Sequence, residues 1–369
     1  MNDDIQQTNA SNAIGSRLLE TLVPVNALTV DHLNTLLRDQ SIESVCAGQC
    51  VFEYGEFDNK HVYLLSGEVK ITDELGMVAK LSADNPLCRY PLSHFQPRRH
   101  QVDTLTDCTF MRFDSDQLDA MLAWDQASRY ITLDIAGERN LDEDADWMLT
   151  LLNSNFFYKV PPMNIRSILT KFVAQDVTPG ETIIRQGELG DSCYFIKEGI
   201  AEVFQATENS HHSELVAELG VGRCFGEDAL VGDKPRNATI VMRTNGVLMK
   251  LDKKDFFLLL KPPVVHSVSL QQALADVPVT QQWIDVRTQD EFELGHMHGA
   301  VNMSLDLLKL KSRMLDAEKQ YIVYCNSGRR SSAAAYLLSQ DGFDVSVLQG
   351  GFSDLPLQEQ TRFGSTLKA

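Results

Sequence analysis

From residue 180 onward the chain repeats a pattern it has already used between residues 48 and 114, and this repeat constrains the fold more than any other feature. Adding 132 places Gly48 on Gly180, Gly55 on Gly187, Glu56 on Glu188 and Gly67 on Gly199. Val51 and Phe52 then fall on Ile183 and Ile184, and Tyr63 and Leu64 on Phe195 and Ile196. After a six-residue insertion near residues 208–213 the offset becomes 138, so Pro97 and Arg98 meet Pro235 and Arg236, and Asp114 meets Asp252. Glycines matched between short apolar stretches suit turns of positive φ, and short strands joined by such turns predict a double-sheet β-roll. Each copy closes on a helix with an acidic N-cap, Asp114 before SDQLDAMLAW and Asp252 before KKDFFLLL. The unit of helix, roll and helix is used twice.

A different architecture follows. Residues 321–324 are an apolar run that reads as a buried strand, and SSAAAYLLSQ from Ser331 reads as a helix. Cys325 stands where strand hands over to helix, followed by Asn326, Ser327, Gly328, Arg329 and Arg330. Backbone N–H groups at such a junction converge on an anion, and the two arginines add positive charge; thiolate is the nucleophilic form of cysteine. Four residues separate Cys325 from Arg330. Cysteine phosphatases keep five there, to close around a phosphoryl group, so this shorter loop suits a smaller anion such as a persulfide.

CNSGRRS resembles the C-x-x-G-x-R-S loop of the rhodanese (sulfurtransferase) family. The likeness runs over about residues 268–357, including IDVRTQDEFELGHMHGAVNM (284–303) and LQGGFSDL (348–355). His298 replaces the family's usual Pro, and Leu355 stands near its customary Trp. The resemblance implies an α/β domain with a parallel sheet, and a thiosulfate sulfurtransferase-like activity with Cys325 and Arg330 as catalytic residues. Thiosulfate or another sulfane-sulfur compound would be the donor. Asp285, Arg287 and Glu291 read as an ion-pair set bracing the loop.

The second copy of the repeat also carries chemistry. Its CFGEDALVGDKPRNAT (224–239) has a glycine that lets the backbone approach a ligand, an EDAL turn whose N–H groups face an anion, and a guanidinium nine residues beyond Glu227. This stretch resembles the phosphate-binding cassette of cyclic-nucleotide-binding domains, and the likeness extends over about residues 156–261. It implies a nucleotide site at Gly226, Glu227, Asp228, Ala229, Arg236, Asn237 and Ala238, with Glu227 on the ribose 2′-hydroxyl and Arg236 on the cyclic phosphate. Asn237, where many cGMP-selective sites have Thr, leans toward cAMP. Asp228 departs from the usual apolar residue. In the first copy Leu87, Cys88 and Arg89 replace Phe225, Gly226 and Glu227, and Pro91 replaces Ala229. That roll is expected to have lost the ligand and to serve structure or contact with a protein partner, so that Arg98→Ala would change nothing.

These readings give a multidomain chain of two α+β rolls and an α/β rhodanese domain. The expected layout is a disordered start (1–15), a degenerate roll (16–137), a helical linker (138–155), a nucleotide-binding roll (156–263), the rhodanese domain (264–360) and a tail (361–369). From Asp114 to Ile135 an amphipathic helix is expected, followed by an acidic turn. The helix after the second roll is cut short by Pro262 and Pro263, and an extended VVHSVSL leads into the rhodanese domain, a short path for coupling.

A net charge of −18 disfavours nucleic acid as a partner. Seven cysteines without CxxC pairs or His/Cys clusters argue against metal and against a disulfide framework; those other than Cys325 read as core fillers. His296 and His298 lack metal-ligand spacing, and His211 and His212 read as a hairpin tip. No signal peptide or membrane span is read, which points to the cytoplasm. Two functions fit: a sulfurtransferase, needing no cofactor, that a cyclic nucleotide regulates; or a non-catalytic signalling adaptor that binds a cyclic nucleotide or dinucleotide and uses its rhodanese domain for docking or redox sensing.

Overall fold

The computed structural model describes residues 18–38, 42–137, 145–152, 160–206, 213–231, 234–275, 281–354 and 360–362. The expected disordered start, the acidic turn at 138–144, His211 and His212, most of the insertion, Leu355 and the tail from 363 lie outside the described residues. Of the linker, the helix Ala145–Leu152 is described.

The repeat folds as two β-rolls. In the first, the sheet ordered Ile42–Val45, Cys108–Asp114, Lys60–Ser66 faces one ordered Cys50–Phe52, His100–Thr104, Glu68–Asp73, Val78–Ser82. In the second, Cys224–Phe225, Ser192–Glu198, Gly246–Asp252, Val173–Val177 face Ser213–Leu219, Ala201–Ala206, Thr239–Met242, Thr182–Ile184. The strand registers coincide under the same offsets. Tyr63 pairs with Met111 and Phe195 with Met249; Val69 pairs with Thr104 and Ala201 with Met242. Even the bulge after Leu64 recurs after Ile196. The matched glycines turn with positive φ, 91° at Gly67 and 96° at Gly199. A side chain at either would strike backbone, since the Cβ would lie 2.6 Å from Asp107 O in one and 2.8 Å from Asn245 O in the other.

The third domain is built on five parallel strands in the order Ser267–Val268, Asp344–Leu348, Gln320–Tyr324, Gln281–Asp285, Val301–Asn302. Strand Gln320–Tyr324 lies at its centre, and all but its first residue are buried, which is why this segment is a continuous apolar run without alternation.

Three expectations are corrected. The helix Ser115–Gly137 is not amphipathic in its middle: residues 121–128 are all buried, and Asp125 lies inside against His32 Nδ1 at 2.7 Å. A sequence periodicity reports one covered face, whereas this helix is covered on more than one. Cys46 and Cys50 are exposed, not core fillers, because one follows the end of the strand Ile42–Val45 and the other opens a strand with its first residue outward. Finally, the parallel-sheet domain forms one compact unit with the first roll (1–130 with 264–369), while residues 131–263 form the other. Chain order had suggested the second roll as its neighbour.

Candidate functional site

Cys325 is the first residue beyond the central strand, at the carboxyl edge of the parallel sheet, where open α/β sheets place their ligands. Gly328, at φ 92°, reverses the chain into the helix Arg329–Gln340. That turn aims two donors at one sulfur, the N–H of Gly328 at 3.1 Å and the N–H of Ser331 at 3.4 Å from Sγ, and the Ser331 hydroxyl, which donates to Gly328 O at 3.2 Å, lies 3.5 Å from the same sulfur. Such a cradle stabilises charge on sulfur without a cation in contact. Cys325 is fully buried, whereas Ser327 and Arg329 in the same loop are exposed.

The charged residues form a scaffold around this loop. Asp285 and Arg287, both buried, are joined by a two-pronged ion pair with Arg287 Nη2 at 2.6 Å from Oδ2. Arg287 also donates to Gly295 O at 2.6 Å and to Asn326 Oδ1 at 3.2 Å. Asn326 Nδ2 donates to Glu291 at 3.0 Å. Glu291 sits in the first turn of the helix Gln289–Leu294, fixed by a capping box with Thr288. Arg330 is 1% exposed and holds Glu291 with two bonds of 2.7 and 2.9 Å, with Asp119 a further 3.6 Å away. Its guanidinium therefore pairs with carboxylates and braces the helix start that carries the Ser331 N–H. Arg329 is exposed and lies 3.8 Å from Asp116. Ser331, present in the motif but not singled out from sequence, supplies two of the three sulfur contacts.

Burial alone would push the Glu291 carboxyl up; the charge and hydrogen bonds of Arg330, with Arg287 and the Thr288 N–H, outweigh it and hold the group at about 2 against its ordinary 4.5. A depressed acid contributes stability that is fully present above 4.5 and is lost as pH falls toward 2. Acid titration should therefore loosen this unit across that window, and Glu291→Gln should flatten that part of the stability profile. A profile unchanged by the substitution would show that the pair is not the acid-sensitive element.

In the second roll, Gly226 (φ 90°) leads from strand Cys224–Phe225 into the one-turn helix Glu227–Val231. Arg236, 6% exposed, lies across this turn, donating to Gly226 O at 2.6 Å and Ser192 O at 2.7 Å, with Asp191 at 3.3 Å. A Cβ on Gly226 would come within 2.9 Å of Arg236 Nη1, and one on Gly190 within 2.8 Å of the Ala229 methyl, so two glycines make room for the arginine and the turn. Glu227 is largely buried, which pushes its carboxyl up. Asp228 and Asn237 are exposed and Ala238 is buried, so the carboxylate of Asp228 stands in solvent beside the turn. Asp191 and Ser192 were not read from sequence; strand pairing brings them to an arginine 45 positions on.

The equivalent place in the first roll is built differently. A 3-10 turn, Pro86–Arg89, replaces the helix. Arg98 is 1% exposed and gives its guanidinium to the carbonyls of Leu92, Ser93 and Lys60 and to Asp58 at 2.8 Å, over the ring of Phe52. The substitution Arg98→Ala is thus far from silent. It should destabilise the roll by about 3–5 kcal/mol, as for removal of one partner of a buried pair. A thermal melt of the variant that overlays the parent would contradict this.

Among the described residues no group of His, Cys, Asp and Glu could hold a metal, and no helix is long and apolar enough to cross a membrane.

Comparison with known proteins agrees with this architecture. The cyclic nucleotide-binding domain model matches residues 42–125 and 174–262, and the rhodanese-like domain model matches residues 268–355. A cGMP-dependent protein kinase of Caenorhabditis elegans is 26% identical over 61% of this chain and 28% of its own length. A cAMP-dependent protein kinase regulatory subunit of Yarrowia lipolytica is 41% identical over 25% of this chain and 24% of its own, and one of Blastocladiella emersonii is 45% identical over 22% and 20%. The chain thus spans about a quarter of the length of these curated relatives. Matched registers in the two rolls, the parallel sheet and the family models together establish a chain with two cyclic nucleotide-binding domains in tandem followed by a C-terminal rhodanese-like domain.

Proposed function

We propose that the chain is a rhodanese-type sulfurtransferase whose activity a cyclic nucleotide, cAMP favoured, adjusts from the second roll. The observation that carries this reading is the convergence of two backbone N–H groups and the Ser331 hydroxyl oxygen on Cys325 Sγ within a loop of rhodanese length. In the proposed reaction the Cys325 thiolate attacks the outer sulfur of thiosulfate. The new S–S bond forms as the old one breaks, and sulfite leaves with the electron pair. A thiophilic acceptor then takes the terminal sulfur from the persulfide and the thiolate is released. Asn326, Ser327, Gly328 and Arg329 form the loop around the persulfide, Arg330 and Glu291 keep the helix start in place, and Arg236 with Glu227 holds the nucleotide. The reaction is placed in the cytoplasm, where reduced thiols persist.

The test joins the two sites. Thiosulfate saturation curves measured with and without saturating cAMP should differ severalfold in rate or donor affinity, given couplings of about 1–3 kcal/mol. Arg236→Ala should remove the difference. The chain passes between the two compact units at residues 130–131 and again at 263–264, so both joins are available to carry the signal. Identical curves would instead support a signalling adaptor whose rhodanese domain is a docking module.

A further inference from the structure

We propose that the first roll, having no nucleotide site of its own, serves as the fixed half of the sulfur site: its former cassette loop completes the rhodanese core, and Arg89 and Asp119 act as positioning residues for the Cys325 loop. The contacts form two chains that end on the Cys325–Arg330 loop. One is apolar. Phe95, from the first roll, is 8% exposed and belongs to the hydrophobic cluster of Ile322, Tyr324, Leu348 and Phe352 in the rhodanese domain. Its ring lies 6.1 Å from that of Phe352, whose N–H donates to the carbonyl of Cys325 at 2.8 Å. Arg99 stacks on Phe95 at 4.1 Å and donates to Ser353 O at 2.7 Å. A buried aromatic anchor of this kind carries much of the energy of an interface.

The other chain is polar. Arg89, standing where the second roll has its sugar-binding Glu227, forms a 2.8 Å ion pair with Asp290, which also accepts from Asn26 at 3.3 Å. Asp290 and Glu291 are consecutive residues in the first turn of Gln289–Leu294, so one short helix is gripped by the first roll on Asp290 and grips Asn326 and Arg330 through Glu291. From the opposite side Asp119, in the second turn of Ser115–Gly137, meets buried Arg330 at 3.6 Å. Between the roll and the rhodanese domain remains a cavity of about 20 Å³ lined by His61, His94, Tyr90, Arg287, Glu291 and Asn326, room for about one water. The Arg89–Asp290 pair is a third exposed and contributes less than Asp119–Arg330, which is almost wholly buried. The residue that differs from Glu227 at the equivalent position of the first roll, Arg89, is thus the one that supplies the partner for Asp290.

The clamp predicts what loosens the loop, and its evidence does not depend on sulfur transfer. The measurement is hydrogen exchange of the 325–340 amides in the full-length chain, together with the alkylation rate of Cys325 by iodoacetamide. In Phe95→Ala and Asp119→Asn both should rise about tenfold or more, while the strands Ser192–Glu198 and Gly246–Asp252 of the second roll keep their protection. Asp119→Glu should restore slow exchange. Arg89→Asp should shift both in the same direction, and adding Asp290→Arg should reverse it, a rescue that general destabilisation would not produce. If Phe95→Ala loses protection throughout the unit, Asp119→Asn and the charge swap decide. Unchanged exchange at 325–340 in Asp119→Asn, or no rescue by the swap, overturns the proposal. A wild-type chain that shows these shifts but takes no sulfur from thiosulfate would leave the clamp standing and remove the sulfurtransferase reading.

Discussion

Cys325→Ser should abolish sulfur loading altogether. Incubated with thiosulfate, the parent chain is expected to gain the mass of one sulfur atom and to pass that sulfur to cyanide; the serine variant should do neither, because its oxygen is not thiophilic even though the same donors surround it. Arg330→Ala should reduce transfer on the order of 10²-fold, the size seen when one preorganised element of an anion site is removed. The reason differs from simple loss of a cation near sulfur. Glu291 would be left buried with an unpaired charge, and the helix start bearing Gly328 and Ser331 would lose its brace. Parent protein that gains no mass would end the enzyme reading, and the adaptor reading would take its place.

Nucleotide binding is expected at one site per chain, with Arg236→Ala or Glu227→Ala weakening it by about a hundredfold or more. Arg236 is held by two carbonyls at 2.6 and 2.7 Å, so on the proposed reading a cyclic phosphate would meet a guanidinium already in position and displace exposed Asp191. Truncating Glu227 removes the acceptor for a sugar hydroxyl in a site where burial already disfavours an unpartnered carboxylate. No second site is expected in the first roll, because Arg89 stands there in place of Glu227 and the 3-10 turn Pro86–Arg89 in place of the cassette helix. Titration calorimetry showing two equivalent sites, or binding that survives Arg236→Ala, would overturn this assignment.

The two sites were legible from sequence to different depths. Gly328 and Gly226 announce themselves because each backbone conformation excludes other residues, and both stand at the turns the motifs require. The place of Cys325 between strand and helix was readable from the sequence alone. The partners of Arg330 were not: a loop arginine five positions from a cysteine reads as a charge for the sulfur, and only the fold shows it buried against Glu291 and Asp119. Asp191 was equally invisible, because its approach to Arg236 depends on how the strand Ser192–Glu198 runs beside the cassette.

What the sequence determined by itself is whatever local chemistry or short-period patterning encodes. Glycine spacing and alternating apolar residues specify two rolls down to a shared register and bulge, and an unbroken apolar run followed by CNSGRRS specifies a central parallel strand with a cysteine at its end. Only the tertiary structure decided which roll the rhodanese domain joins. Arg89 finds Asp290 across 201 positions and Arg99 reaches Ser353 across 254. No periodicity or propensity links residues so far apart, because such pairs arise from shape and charge complementarity between finished surfaces. Phe95 makes the same point: in the chain it is one aromatic in a degenerate cassette, and in the fold it fills the core of another domain.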